Sequence, residues 1–282
     1  DPRTFFVAAV AIAVFIALYP SVARGHAGLH DLIDETTRRI VVHPGDARLY
    51  LTRADLYRMH GEWKRAKKDI DKARSLDKTL QEIPVASAAL FADMGEHKKA
   101  IAILDRFLVT HTNHATAFAL RARIREASGD ALGATDDLSR LLALEPTVDR
   151  YAERARILRA VGRAQFARAL EGLDEGIRRI GPVVGLEIPA IEMEIVLERW
   201  DAALSRIDRQ LATSKRKERW LVRKGEVLEN AGRTAEAIGA YRAALDAIEA
   251  LPPRLRDTAA VAALITEIRA ALARADRPSE SH

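Results

Sequence analysis

The feature that most constrains this chain is a repeat. Gly61-Glu62-Trp63-Lys64-Arg65-Ala66 is followed by Gly95-Glu96-His97-Lys98-Lys99-Ala100 and then by Gly129-Asp130-Ala131-Leu132-Gly133-Ala134. Each segment is Gly, an acidic residue, three variable residues and Ala, and alanines 66, 100 and 134 are spaced by 34 residues both times. The same frame continues through Gly162 and Ala167, Glu198 and Ala203, and Gly232 and Ala237, with spacings of 33, 36 and 34. Six units are visible, the fifth least regular. A period of this length marks a supersecondary unit that cannot bury its apolar face alone and must stack on its neighbours.

The unit reads as a pair of helices. Ala, Leu, Arg and Glu recur throughout, and aromatic residues are only 5%, which favours helix over strand. Counted from Ala47, Gln81, Ala115, Val148, Val184 and Glu218, the eighth position holds Ala54, Ala88, Ala122, Ala155, Ile191 and Gly225. The fourth holds Tyr50, Pro84, Phe118, Tyr151, Glu187 and Leu221, and the eleventh Tyr57, Phe91, Arg125, Leu158, Glu194 and Leu228. Two antiparallel helices approach closely only where a side chain is small, and large apolar residues then fill the space between one pair and the next. Gly61, Gly95, Gly129, Gly162 and Gly232 stand where the first helix must end, a place that often requires positive φ.

This pattern resembles the tetratricopeptide repeat (TPR) family, over residues 45–250. The resemblance implies an all-α fold, a right-handed superhelical TPR solenoid of about six helix-turn-helix repeats. His30 to Val42 reads as one amphipathic helix, so 28–44 is expected to be an N-terminal half-repeat. Beyond Pro252-Pro253, residues 251–276 are expected to hold a C-terminal capping helix with Val261, Leu264, Ile268 and Leu272 inward, followed by a disordered tail at 277–282. Gly181 to Pro189 is expected to disrupt the first helix of repeat five, which either starts near Pro189 or kinks there. The apolar stretch Ile191 to Trp200 is either a packing seam or an exposed docking strip.

The resemblance also implies a non-enzymatic adaptor or scaffold that binds a protein or peptide in a concave groove lined by the first helix of each repeat. The groove positions supply Arg48, Leu51, Asp55 and Arg58 from repeat one and Arg123 from repeat three. Repeat four adds Arg156 and Arg159, and repeat six adds Arg219, Val222 and Glu226. The Lys and Asn set with which some family members clamp a C-terminal carboxylate is absent, since Leu51 and Asp55 occupy the matching places. The arginines either meet acidic groups of a partner or pair with acids of adjacent helices.

Other chemistries find little support. There is no cysteine, which removes thiolate catalysis and Cys-based metal sites. No phosphate-cradling glycine loop or nucleophile elbow occurs, so no enzyme, cofactor or small-molecule substrate is expected. Asp136 and Asp137 read as solvated carboxylates, and His111 and His114 as solvated turn residues. His26 and His30, four apart, could share a helix face, yet no zinc motif accompanies them and no metal is expected. The net charge of +5 arises from 45 basic and 40 acidic residues interspersed at helical spacing, so no nucleic-acid partner is expected.

The N-terminal segment reads as an address. Phe5 to Tyr19 is an unbroken apolar run, preceded by Arg3 and followed by Pro20-Ser21-Val22-Ala23. That layout is expected for a signal peptide over 1–23, giving an exported, periplasmic protein. An uncleaved inner-membrane anchor facing the periplasm is the alternative, because the run with its flank approaches the roughly 20 residues that span a bilayer. A membrane contact is expected only in that second case. A permanent structural subunit of an envelope complex is the main functional alternative to the adaptor.

Overall fold

The computed structural model describes the backbone of residues 20–275 and the side chains of residues 28–275. The expected leader lies outside the described residues except for Pro20–Ala23, and the expected tail at 277–282 lies outside them entirely. No helix among the described residues is long and apolar enough to cross a membrane. The described residues form α-helices, one 3₁₀ turn and no strands. They divide into two compact units, meeting at Leu144 and Glu145.

The first unit holds α1 (Pro20–Val42) and three helix pairs. These are α2 (Ala47–Met59) with α3 (Trp63–Leu76), α4 (Glu82–Asp93) with α5 (His97–Thr110), and α6 (Ala115–Ala127) with α7 (Ala131–Leu144). Helix α1 extends well ahead of the amphipathic stretch expected from His30. Ile33 and Ile40 turn inward from α1, and Ile40 joins the core formed by Tyr50, Leu51, Ala54, Ile70, Ile83 and Leu90.

The second unit holds α8 (Val148–Val161) with α9 (Phe166–Ile180), α10 (Val184–Val196) with α11 (Trp200–Thr213), and α12 (Glu218–Asn230) with α13 (Thr234–Glu249). The short α14 (Pro253–Arg256) leads into α15 (Ala259–Ala275), whose Val261, Leu264 and Ile268 bury against the core of the last pairs. Helix α10 does not start near Pro189: it begins at Val184 and includes that proline, which corrects the first of the two expectations. The cost of a missing N–H is met by burial of Leu186, Ala190, Ile191 and Met193. The stretch from Ile191 is therefore largely core, with Ile195 and Trp200 packed against it and Val196 at the surface.

The repeat rests on one turn used five times. Gly61 N–H donates to Arg58 O at 3.0 Å and Glu62 N–H to Tyr57 O at 2.8 Å, and the same pair of bonds recurs after α4, α6, α10 and α12. Gly61, Gly95, Gly129 and Gly232 take φ between 74° and 88° in this turn, and Glu198 takes 58° in α10's version. The turn after α8 differs. Gly162 has φ of 133°, and the 3₁₀ turn Arg163–Gln165 intervenes before α9.

That turn corrects the frame. Ala167 is exposed, and Ala169 occupies the close crossing at 1% exposure. The crossing alanines are 66, 100, 134, 169, 203 and 237, spaced 34, 34, 35, 34 and 34, so the irregular spacings of 33 and 36 reduce to one inserted residue. Each is at most 1% exposed. Gly225 meets the same demand from the opposite helix: a Cβ there would lie 2.5 Å from the Tyr241 ring.

Candidate interaction surface

In the first unit the arginines of α2 are already matched by carboxylates. The Arg48 Nε lies 3.3 Å from Glu82 Oε1 across the α2–α4 interval. Arg58 bonds Asp55 on its own helix at 2.7 Å and Asp93 on α4. Burial disfavours the Arg58 cation, but its bonds to Asp55 and Asp93 outweigh this and hold it above the ordinary arginine value. Leu51 lies in the core at 8% exposure, which corrects its expected place on the groove: its turn of α2 faces the neighbouring helices. Arg123, on α6, is exposed and makes no ion pair among the described residues.

The second unit holds the more developed surface. Helix α15 packs on α12 and α13, and a gap opens between its inner face and helices α10 and α12. The gap is a cavity of about 380 Å³ with Val184 and Ile188 of α10, Trp220 and Val222 of α12, and Leu264 of α15 as its apolar lining. Arg219, Arg223, Glu226 and Glu267 complete it. Val222 is 4% exposed and forms the floor. Arg219 and Glu267 are exposed and make no ion pairs among the described residues.

Beside this cavity runs a chain of alternating charges. Arg159 Nη1 donates to Glu192 at 2.9 Å, Arg223 donates to Glu192 at 3.4 Å and to Glu226 at 3.2 Å, and Arg274 lies 3.5 Å from Glu229. The Tyr241 hydroxyl donates to Glu229 at 2.9 Å. Burial and then the Glu229 carboxylate push that phenol well above the usual tyrosine value. Arg159 is thus tied to a neighbouring helix, as Arg58 is. Arg156 lies exposed on the same helix as Arg159.

Two sets of ionic residues were not legible as such. Arg53 donates to both oxygens of Asp69 at 2.7 and 2.9 Å, and Arg121 holds Asp137 in the same way, with Arg125 adding a bond at 2.9 Å. Asp137 is 2% exposed and not solvated as expected, whereas Asp136 is exposed. The recurrence of Arg and Asp sixteen residues apart in repeats one and three was the available signal. The turn histidines also have structural partners. His114 Nδ1 accepts from Ala117 N–H at 3.1 Å as an N-cap, and His111 stacks on Phe107 with centroids 4.1 Å apart. His30 meets the His60 ring edge-on at 4.5 Å, and no group of three metal ligands occurs among the described residues.

Repeated antiparallel pairs, a shared positive-φ turn and a 34-residue alanine crossing define a helical repeat protein of the TPR fold. No family model and no curated protein matches the sequence. Among solved structures, yeast Tom70 resembles the chain with a TM-score of 0.48 at 16% identity, covering 84% of this chain and 46% of its own. YrrB, described as a TPR protein with an unusual peptide-binding site, gives 0.46 at 17% identity over 63% of this chain and 91% of its own. A tetratricopeptide repeat protein from Parabacteroides merdae gives 0.43 at 14% identity over 92% and 96%. The chain therefore spans less than half of Tom70 and nearly all of the other two.

Proposed function

We propose that this chain is a non-enzymatic scaffold that holds a polypeptide partner, and that the partner seats an apolar side chain in the cavity between α10, α12 and α15. The cavity carries the reading. Its volume of about 380 Å³ suits a single large side chain, and its apolar floor with charged groups around it is the usual composition of a recognition pocket. Trp220 is the natural anchor, since tryptophans in partly desolvated pockets dominate many interfaces. The expected acidic partner gains support only from Arg123 and Arg219, because Arg48, Arg58 and Arg159 have carboxylates beside them. The apolar run Phe5 to Tyr19 with the small residues after it supports export, which places the partner in a bacterial envelope.

Peptides selected by display against the full chain test this. Trp220→Ala is expected to weaken the selected peptides at least about tenfold, roughly 1.4 kcal/mol, with helix content unchanged. Trp63→Ala, in the first unit, is expected to leave affinity alone. Equal affinities for the parent and Trp220→Ala contradict the reading.

A further inference from the structure

Repeat five carries a carboxylate at both its fourth and its eleventh position, Glu187 and Glu194, where no other repeat has one. The structure buries both, at 0% and 4% exposure, and turns them toward Arg206 of α11. Arg206 Nε donates to Glu194 at 2.8 Å and Nη1 to Glu187 at 3.2 Å, while Nη2 bonds Asp174 of α9. Three carboxylates therefore share one buried guanidinium. Arg209, largely exposed, comes only within 4.0 Å of Glu187. On the flanking helices Arg154 pairs with Glu175, and Arg159 and Arg223 pair with Glu192. Glu187 Oε1 and Glu194 Oε2 are left without a hydrogen-bond donor.

We propose that this cluster is a proton-binding site that carries one proton, on Glu194, while the second unit is folded. A buried acceptor with no donor is costly, and a carboxylic acid differs from a carboxylate in owning a donor of its own. Protonation at Oε2 also reduces three negative charges around Arg206 to two, and leaves the Arg206 bond to Oε1 in place. Burial pushes the Glu194 carboxyl up; the Arg206 hydrogen bond opposes this, and Asp174 and Glu187 add to it. A raised carboxyl means that the folded state holds its proton after the unfolded chain has lost it. Stability is therefore fully present below the ordinary glutamate range and falls as pH rises toward the folded value. Glu187 and Glu194 anchor the inner face of α10, and Val184 and Ile188 of the same helix line the cavity. Loss of the proton thus loosens the wall on which a partner would sit.

Urea unfolding of the full chain as a function of pH tests the proposal, in a Trp63→Phe background so that Trp200 and Trp220 report the second unit. Within the window where Glu194 titrates, the folding equilibrium constant is expected to fall by up to about tenfold per pH unit. Glu194→Gln is expected to flatten that slope and to raise the midpoint above the parent's at pH of about 8. A midpoint lowered at that pH, with the parent's slope retained, overturns the proposal. If Glu194→Gln does not fold, side-chain carboxyl carbon-13 spectra of the unsubstituted protein decide. One glutamate that keeps its proton to higher pH than the others supports the site, and all glutamates titrating together overturns it.

Discussion

Glu198 occupies a backbone conformation that glycine takes in four of the sister turns. Its φ is 58°, and its N–H bonds Ile195 O at 3.0 Å, as the glycines bond their own helices. A side chain in the left-handed region costs roughly 1 kcal/mol relative to glycine, and Glu198 is largely exposed with only a loose contact to Arg163 at 3.8 Å. Glu198→Gly is therefore expected to raise stability by about 0.5 to 1 kcal/mol, read as a higher urea midpoint for the second unit. The gain is limited because glycine also frees the unfolded chain. Four of these turns were legible because glycine at positive φ leaves a direct mark in the sequence. Glu198 was legible only by its position in the frame, and Gly162, a glycine in the right place, makes a different turn.

Helices α3 and α7 show how a hairpin is fixed by charge as well as by small residues. Asp69 and Asp137 sit on the buried faces of their helices and take paired bonds from Arg53 and Arg121. Asp137→Ala removes the buried carboxylate between Arg121 and Arg125 and leaves them the more exposed Asp105, 2.7 Å from Arg121 and 3.6 Å from Arg125. It is expected to cost about 3 kcal/mol, since removing one partner leaves the other's charge poorly compensated. Asp136→Ala, one residue away and exposed, is expected to stay within about 0.5 kcal/mol. Chemical denaturation of the two variants gives the comparison. The helices themselves could be read from composition and glycines; these pairings were marked only by the sixteen-residue spacing of Arg and Asp, because a lone carboxylate looks solvated until the opposite helix is in place. The same holds for α10, where the glycines and prolines from Gly181 to Pro189 suggested disruption. Burial of its apolar face and Arg206 on α11 support one helix from Val184 to Val196 instead.

For the molecule as a whole, the frame organises everything else: which alanines cross, which helix faces its neighbour, and which residues are left to line the cavity. Most of that frame was legible, since a repeat states its rule six times over. The cavity was legible only in part. Arg219, Val222 and Glu226 came from the groove positions, while Ile188 lay in a segment read as broken, and Leu264 and Glu267 lay in a helix read only as a cap. The most direct test of the frame is the stability of Ala100→Leu and Ala203→Leu against Lys98→Leu. Ala100 and Ala203 are 0% exposed at the helix crossings, and Lys98 is exposed two residues from the first of them. Enlarging a closed site costs about 1 to 3 kcal/mol, and helix propensity barely separates Ala, Lys and Leu. Urea denaturation is expected to show that loss in both alanine variants and less than about 0.5 kcal/mol in Lys98→Leu. Equal stabilities for the three variants would contradict the frame, and with it the cavity built on it.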